Sequence, residues 1–213
     1  MTVTIWTYDW VPPPPRGYVR DIRLRWALEE AGVGYSVATV SFDNRGPEHI
    51  ARQPFAQVPF LDDGDIRLFE SGACLLHIAD KSETLMPRAA QERAETLEWF
   101  IAALNSVEMV TLPWWYVGLS RPPENPFAGW MGQRFARLEA VLQDRDWLAA
   151  SRFTVADLIM CDVLRLPRDL GALADFPALQ AYVARICERQ AFQKAHTAQI
   201  DHFAAADANR VRV

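Results

Sequence analysis

An acid and a serine at the start of an apolar helix can anchor a small zwitterion. Glu70 and Ser71 stand before the apolar run 73–79, and a serine in that place is typical of a helix N-terminus. The amides there attract a carboxylate, while the neighbouring acid attracts an ammonium group. Val58 and Pro59 precede this pair and add backbone at a proline bend. We therefore expect these four residues to form one anchoring site.

A hairpin must position this site. Two short apolar runs, 58–61 and 66–68, flank Asp63-Gly64, and Asp-Gly between apolar runs favours a tight turn between two strands. Because proline has no amide donor, Pro59 is expected at the entrance or the edge of the first strand, at a bend that a cis peptide would accommodate.

The chain before the hairpin reads as a β-α-β unit. Residues 2–8 alternate as a strand does, 18–31 follow a helical pattern with charged residues around an apolar stripe, and 35–40 read as a second strand. Four prolines at 12–15 predict a stiff, extended connector. With a short irregular piece at 47–52, the order becomes β-α-β-(α)-β-β-α.

This order, and the run from 57 to 71, resemble the thioredoxin-like domain of the cytosolic glutathione S-transferases, of a bacterial type. In that family the residue before the cis-proline pairs with the cysteinyl part of glutathione, and the acid–serine pair holds the γ-glutamyl end. A residue just before the Val-Pro pair binds the glycine end. The implied glutathione-binding residues are Gln57, Val58, Pro59, Glu70 and Ser71. Ala56 replaces a usual glycine, which predicts a φ below zero there.

The resemblance implies attack by the glutathione thiolate on an electrophile. A free thiol of pKa about 8.5 is mostly protonated at neutral pH, so a donor must stabilise the thiolate. Family members use Tyr, Ser or Cys near the first strand's end, but residues 1–35 contain neither serine nor cysteine. The hydroxyl donors left near the end of that strand and the start of the first helix are Thr7, Tyr8 and Tyr18. Tyr8 is the first choice for the catalytic residue, and Tyr18, Arg16 and Arg20 remain alternatives.

The second half of the chain is predicted to be entirely helical. The predicted helices cover 89–117, 128–144, 154–166, 177–189 and 190–204. Thr154 and Asp157 match a capping box that starts a buried helix in the C-terminal domain of the family, where its role is in folding. We therefore predict a thioredoxin-like α/β domain (1–80), a linker (81–88) and an all-α domain (89–213).

Clustered tryptophans suggest an acceptor pocket. Trp114 and Trp115 lie near the end of the first helix of the second half, and Trp10 precedes the prolines. Flat aromatic walls suit an apolar substrate, although such clusters also form cores and dimer interfaces. We predict that these three residues line the pocket, and that the protein is a homodimer as family members are.

Composition excludes several other classes. The chain has 213 residues and a net charge of -5, which argues against a nucleic-acid surface. It has no apolar stretch long enough to span a membrane and no basic leader, so we expect a cytoplasmic protein. Its four histidines lack metal-ligand spacing, and its three cysteines are far apart along the chain. We expect buried thiols, with no metal and no disulfide.

These observations predict a glutathione S-transferase that conjugates glutathione to a hydrophobic electrophile, a detoxification reaction. Alternatives within the family are an isomerase, a dehalogenase or a peroxidase that uses the same thiolate. Members with a nucleophilic cysteine are disfavoured, because residues 10–20 contain none. A non-catalytic binding protein with the same fold is the alternative from another class.

Overall fold

The computed structural model describes residues 2–210, which form two compact units. The first unit contains the chain up to Ser82 together with the helix that begins at Gln190. The second unit is Glu83–Arg189. The last helix therefore belongs with the N-terminal part, whereas the sequence placed all of 89–213 in one helical domain. The predicted 81–88 linker stays a prediction.

The first unit is a four-stranded mixed sheet with helices. Its strands are β1 Val3–Tyr8, β2 Tyr35–Val40, β3 Phe60–Asp63 and β4 Ile66–Phe69. Its helices are α1 Asp21–Ala31, α2 Pro47–Arg52, α3 Ser71–Ala79 and α9 Gln190–Arg210. The sheet order is β2-β1-β3-β4; β1 and β2 are parallel, and the other pairs are antiparallel. The predicted thioredoxin-like order is confirmed.

The hairpin forms where the Asp-Gly pair predicted it. Asp63 pairs with Ile66, and Gly64 takes a φ of 63° in the two-residue turn between them. Gly32 likewise ends α1 in the left-handed conformation, with a φ of 65°. These two glycines set the lengths of β3, β4 and α1.

The prolines at 12–15 do not form an extended connector. The Pro13 carbonyl accepts a bond from the Arg16 amide (3.1 Å), and the Pro15 carbonyl accepts one from the Tyr18 amide (2.9 Å). Proline restricts φ to values that turns also use, and its carbonyl remains free to accept such bonds. The segment therefore folds into successive turns that lead into α1.

Helix α1 is buried along its first two turns, charged residues included. Asp21, Arg23 and Arg25 are at most 2% exposed, although the sequence predicted a charged surface around an apolar stripe. Contacts with α3 and α9 remove α1 from solvent. Inside, the Asp21 carboxylate accepts a bond from Arg25 Nε (2.7 Å), and burial raises the pKa of Asp21.

The second unit is helical. Its elements are α4 Ala90–Ala102, a π-helical segment Ala103–Glu108, α5 Met109–Gly118, α6 Ala128–Leu142, α7 Val155–Asp169 and α8 Pro177–Cys187. The helices predicted between 89 and 189 are present, the first of them divided into α4, the π-helical segment and α5, which confirms the helical half. Within residues 2–210, no helix is long and apolar enough to cross a membrane.

The predicted capping box is present at the start of α7. The Asp157 carboxylate accepts a bond from the Thr154 amide (2.9 Å), and the Thr154 hydroxyl accepts one from the Ala156 amide (3.3 Å). The other carboxylate oxygen of Asp157 accepts bonds from the Leu148 amide and the Tyr182 hydroxyl, both 2.9 Å. Asp157 therefore joins the helix start to a preceding loop and to α8.

Candidate functional site

Three predicted site residues lie in a row at one edge of the sheet. Trp6 pairs with Phe60, which in turn pairs with Phe69. Tyr8 follows Trp6 by two residues, Val58 precedes Phe60 by two, and Ser71 follows Phe69 by two. Strand β3 is antiparallel to both β1 and β4. Two residues forward along β1 or β4 and two residues backward along β3 therefore lead in the same direction, and the three residues lie side by side.

The loop that ends in Val58 and Pro59 is shaped by two buried polar side chains. The Val58–Pro59 peptide is cis. Gln53 Oε1 accepts bonds from the amides of Phe55 (2.7 Å) and Gln57 (3.2 Å), and His49 Nε2 donates to the Gln57 carbonyl (2.8 Å). These bonds hold the Gln57 backbone, while its side chain is exposed.

The predicted backbone angle at Ala56 is wrong. Its φ is 52°, in the left-handed region, although alanine there was expected to exclude that region. The conformation costs about 1–2 kcal/mol for a residue with a Cβ. Bonds from the Ala56 amide to the Gln53 carbonyl (2.9 Å), and from neighbouring amides to the Gln53 side chain, offset that cost.

Ser71 is buried at the N-terminus of α3, next to the charged side chain of Arg23. Its hydroxyl accepts a bond from Arg23 Nη1 (3.1 Å), so its own proton remains available for a ligand. The residue in the N-cap position is Glu70, not the serine as predicted, and no side chain caps the helix. The free amides, Ser71 and Arg23 together favour a bound carboxylate.

Glu70 is exposed and strained. Its φ of 68° and ψ of 121° are rare for a residue with a side chain. The backbone there turns from β4 into α3, and the carboxylate remains at the surface beside Ser71. An ammonium group bound there would lie next to the carboxylate position at the helix start.

The Tyr8 hydroxyl lies beside the cis-proline loop. It donates to the Ala56 carbonyl (3.3 Å), and its ring packs with Val11 and Phe203. Burial raises the pKa of Tyr8, while the Arg45 guanidinium, 5.0 Å from the ring centroid, lowers it. The phenol therefore stays protonated at neutral pH and can donate a hydrogen bond to a thiolate.

The other predicted donors have different surroundings. Thr7 is fully buried, and because side chains alternate along a strand it points to the opposite face of the sheet from Tyr8. Arg16 donates to the Val11 carbonyl and to Asp207, so its guanidinium is already engaged. Tyr18 is half-buried in the turns before α1, and Arg20 is the N-cap of α1.

Helix α9 holds the segment between β1 and α1 through polar contacts. The buried Gln199 accepts a bond from the Gly17 amide (3.0 Å) and donates to the Val19 carbonyl (2.9 Å). His202 Nε2 is 3.0 Å from the Tyr8 carbonyl. The backbone on both sides of the prolines is therefore held to one helix.

Asp207, near the end of α9, binds two predicted site residues. Its carboxylate accepts bonds from Arg16 Nη1 (2.7 Å) and from Trp10 Nε1 (2.8 Å). The Arg16 hydrogen bond, assisted by Trp10, lowers the pKa of Asp207 to about 2. Arg16 is thus placed to hold the loop after β1.

The predicted acceptor-pocket residues fall in different units. Trp10 belongs to the first unit and packs edge-on against Phe42, with centroids 5.8 Å apart. Trp114 and Trp115 are half-buried on α5 of the second unit, where the Trp114 carbonyl accepts a bond from Asn125 (2.7 Å). Their joint pocket stays a prediction.

A cleft of about 680 Å³ lies beside α2. Trp6, His49, Arg52 and Phe60 are among its lining residues. The Arg52 guanidinium is 4.9 Å from the ring centroids of both aromatic residues and forms an ion pair with Asp62. Since that cation is already neutralised and no predicted site residue lines the cleft, it is not the candidate site.

Comparison with known proteins identifies the family. Two family models match the chain: the N-terminal domain of glutathione S-transferase over residues 14–80, and its C-terminal domain over 131–190. The chain belongs to the glutathione S-transferase family. Glutathione S-transferase 4 of Zea mays is 45% identical over 83 residues, which are 38% of this chain and 35% of the maize protein. The match thus spans about a third of that relative's length.

Two longer matches extend over most of this glutathione S-transferase family member. The disulfide-bond oxidoreductase YfcG of Escherichia coli (strain K12) is 28% identical over 195 residues, covering 84% of this chain and 89% of that protein. A glutathione transferase from Pseudomonas putida, crystallised with one glutathione disulfide per subunit, is 22% identical with a TM-score of 0.78. It covers 92% of this chain and 90% of its own, and confirms the fold.

Several residues around the site escaped the sequence analysis of this family member. Arg23 looked like a surface charge of α1, and Gln199 and Asp207 lie about 180 residues or more from the groups they bind. The sequence pattern gave no role to Gln53. A local pattern carries no signal for contacts that α9 makes with the first 25 residues. No group of three or more His, Cys, Asp or Glu in residues 2–210 is placed to hold a metal ion.

Proposed function

We propose that this protein is a glutathione transferase that binds glutathione at the sheet edge formed by Tyr8, Val58 and Ser71. The observation that carries the proposal is their common register across β1, β3 and β4. That register brings a hydroxyl donor, a backbone pairing segment and a helix N-terminus to one place. Glutathione has a thiol, a peptide backbone and a zwitterionic end in the corresponding order.

The γ-glutamyl end binds at α3. Its carboxylate accepts bonds from Ser71 and the first amides of the helix, with the buried Arg23 behind them. Its ammonium group pairs with the exposed Glu70. The Val58 backbone pairs with the cysteinyl part next to Pro59, and Gln57 approaches the glycine end.

The thiolate lies beside the Tyr8 hydroxyl. On binding, the phenol exchanges its long bond to the Ala56 carbonyl for a bond to the sulfur. A hydrogen bond to the charged sulfur favours the thiolate and lowers the pKa of the thiol. The thiolate then attacks an electrophilic carbon of a hydrophobic substrate, forming a carbon–sulfur bond as the leaving group departs.

The acceptor, the assembly and the location complete the proposal. Trp114 and Trp115, half-buried on α5 of the second unit, supply aromatic surface for the apolar acceptor. The protein acts as a homodimer in the cytoplasm, and its reaction serves detoxification of hydrophobic electrophiles. Sedimentation of the purified protein checks the dimer directly.

The decisive experiment measures glutathione binding by calorimetry and thiolate absorbance on the same complex. We expect binding with a depressed thiol pKa, and turnover with chlorodinitrobenzene. Ser71→Ala should weaken binding by about 1–3 kcal/mol, because a buried Arg23 donor and a ligand carboxylate both lose a partner. Ser120→Ala, an exposed serine of the second unit, is the control and should not change the affinity.

Absence of binding at millimolar glutathione would contradict the proposal and favour a non-catalytic binding protein. If Ser71→Ala left the affinity for glutathione unchanged, Ser71 would not be the anchor, and glutathione would bind at a different site. The two results are distinguishable because the first is read on the wild-type protein and the second on the variant.

A second candidate is a glutathione-dependent disulfide oxidoreductase. The specific observation in its favour is the Escherichia coli oxidoreductase, whose similarity extends over 84% of this chain. In this reaction two glutathione thiols, each acting as its thiolate, reduce a substrate disulfide to two thiols, which take up the two glutathione protons, and form glutathione disulfide. Reduction of hydroxyethyl disulfide faster than conjugation of chlorodinitrobenzene would favour this candidate.

A further inference from the structure

Two cysteines that are distant in sequence meet in the second unit. Cys161 lies in the middle of α7 and Cys187 is the last residue of α8, and their sulfurs are 3.8 Å apart. The predicted burial is confirmed for Cys161, whereas Cys187 is partly exposed. The packing of α7 against α8 thus creates a dithiol that the sequence spacing did not indicate.

Arg168 gives this pair a positive neighbour. Its Nη1 is 3.6 Å from the Cys187 sulfur, and its Nε donates to Asp169 (2.8 Å). Arg165 and Asp162, also on α7, add one positive and one negative charge that act on the pair.

The two thiols differ in their readiness to ionise. The Cys161 thiol and the Arg168 and Arg165 guanidinium groups lower the pKa of Cys187 to about 7, against an opposing effect of burial. Burial raises the pKa of Cys161. Cys74 provides the contrast within the chain, because burial raises its pKa to about 12 and its sulfur contacts the Leu68 carbonyl. Cys187 therefore supplies a thiolate, and Cys161 a protonated partner thiol.

We propose that Cys161 and Cys187 form a redox-active dithiol that a hydroperoxide converts to a disulfide between α7 and α8. The Cys187 thiolate attacks one peroxide oxygen of hydrogen peroxide; the O–O bond breaks, hydroxide leaves, and Cys187 becomes a sulfenic acid. The Cys161 sulfur then attacks the Cys187 sulfur, and the sulfenic hydroxyl leaves as water after taking the Cys161 proton. The two sulfurs lose two electrons in total, and the peroxide is reduced to two molecules of water once hydroxide is protonated.

The geometry suits the second step. The sulfurs must approach from 3.8 Å to the length of a disulfide, about 2.05 Å. Cys187 ends its helix, so its side chain and backbone have more freedom to move than those of a residue inside a helix. Cys187 therefore supplies the movement that brings the two sulfurs together.

The test exposes the reduced full-length protein to equimolar hydrogen peroxide and measures intact mass and disulfide-linked peptides. We expect a loss of two hydrogen atoms and a peptide that links Cys161 to Cys187, both reversed by dithiothreitol. Cys161→Ser should instead accumulate a sulfenic acid at Cys187 that dimedone labels. Cys187→Ser should abolish the reaction, whereas the control Cys74→Ser should react as the wild type does.

The rate provides a second readout that does not depend on forming the bridge. It should rise with pH with a midpoint of about 7, following the thiolate of Cys187. Arg168→Gln should slow the reaction by about 3- to 10-fold at pH 7, because less thiolate is present. Oxidation at Cys74 first, a bridge between two chains, or a rate unaffected by Cys187→Ser would each overturn the proposal.

Discussion

Replacing Tyr8 by phenylalanine removes one oxygen and tests the proposed thiolate donor. A hydrogen bond to a charged group contributes about 1.5–3 kcal/mol, and one pKa unit corresponds to about 1.4 kcal/mol. The pKa of bound glutathione should therefore rise by about 1–2 units in Tyr8→Phe. Because the ring remains packed against Val11 and Phe203, affinity for the protonated thiol should change little.

The structure also limits the effect of this substitution on folding. The hydroxyl that is lost donates to the Ala56 carbonyl over a long 3.3 Å, and Ala56 is only half-buried, so water can replace the donor. The free energy of unfolding should fall by less than about 1 kcal/mol. A larger loss would mean that a changed titration reports a damaged loop and not a missing donor.

The assay is the ultraviolet absorbance of the bound thiolate, titrated with pH on wild type, Tyr8→Phe and a matched control, Tyr18→Phe. The control removes a phenol oxygen from the turns before α1 and should leave the titration unchanged. A folded Tyr8→Phe variant with the wild-type thiol pKa would refute the assignment. If Tyr18→Phe then raised the pKa, the role would pass to Tyr18.

Three further predictions concern the contacts that position the site. Gly17→Ala should lower the free energy of unfolding by about 2 kcal/mol, because φ is +83° and a Cβ would stand 2.8 Å from His196 Nε2. Gly34→Ala, the control, has open space around it and should leave the free energy of unfolding unchanged. Chemical denaturation of both variants and the wild type measures the difference. Thr154→Ala should cost about 1 kcal/mol in the same assay through loss of the cap; no loss would contradict the role of the box. The pKa of Asp207 is lowered to about 2, so its stabilising effect is complete above about pH 4 and is lost as the pH falls towards 2. The difference in melting temperature between wild type and Asp207→Asn should disappear over that range, and a constant difference would contradict the role of the charge.

The elements of this protein follow from local sequence signals. The hairpin around Gly64, the run of alternating residues in β1 and the Thr154–Asp157 box each depend on a few neighbouring residues, and each appears where the pattern predicted it. Backbone conformation at a turn or a helix start is decided mainly by adjacent side chains and their hydrogen bonds. The fold class and the family could therefore be predicted.

Local patterns failed where a conformation was stabilised by other parts of the chain. Ala56 adopts a left-handed φ because Gln53 and its bonds hold the loop, against the preference of alanine itself. Pro13 and Pro15 lie in turns because their carbonyls accept amides that follow them. At Ala56 the hydrogen bonds to Gln53 together offset a local cost of about 1–2 kcal/mol.

The sequence by itself determined the order of strands and helices, the hairpin and the motif at residues 57–71. The tertiary structure decided what surrounds them. Helix α9 belongs to the first unit, Arg23 donates a hydrogen bond to Ser71, and Arg16 donates one to Asp207. The Cys187 sulfur lies beside the sulfur of Cys161 on α7. Those partners are separated by 26 to 191 residues, and their meeting depends on the packing of whole helices. A side chain's charge and spacing indicate which partner it can bind, but only packing decides which partner comes within reach.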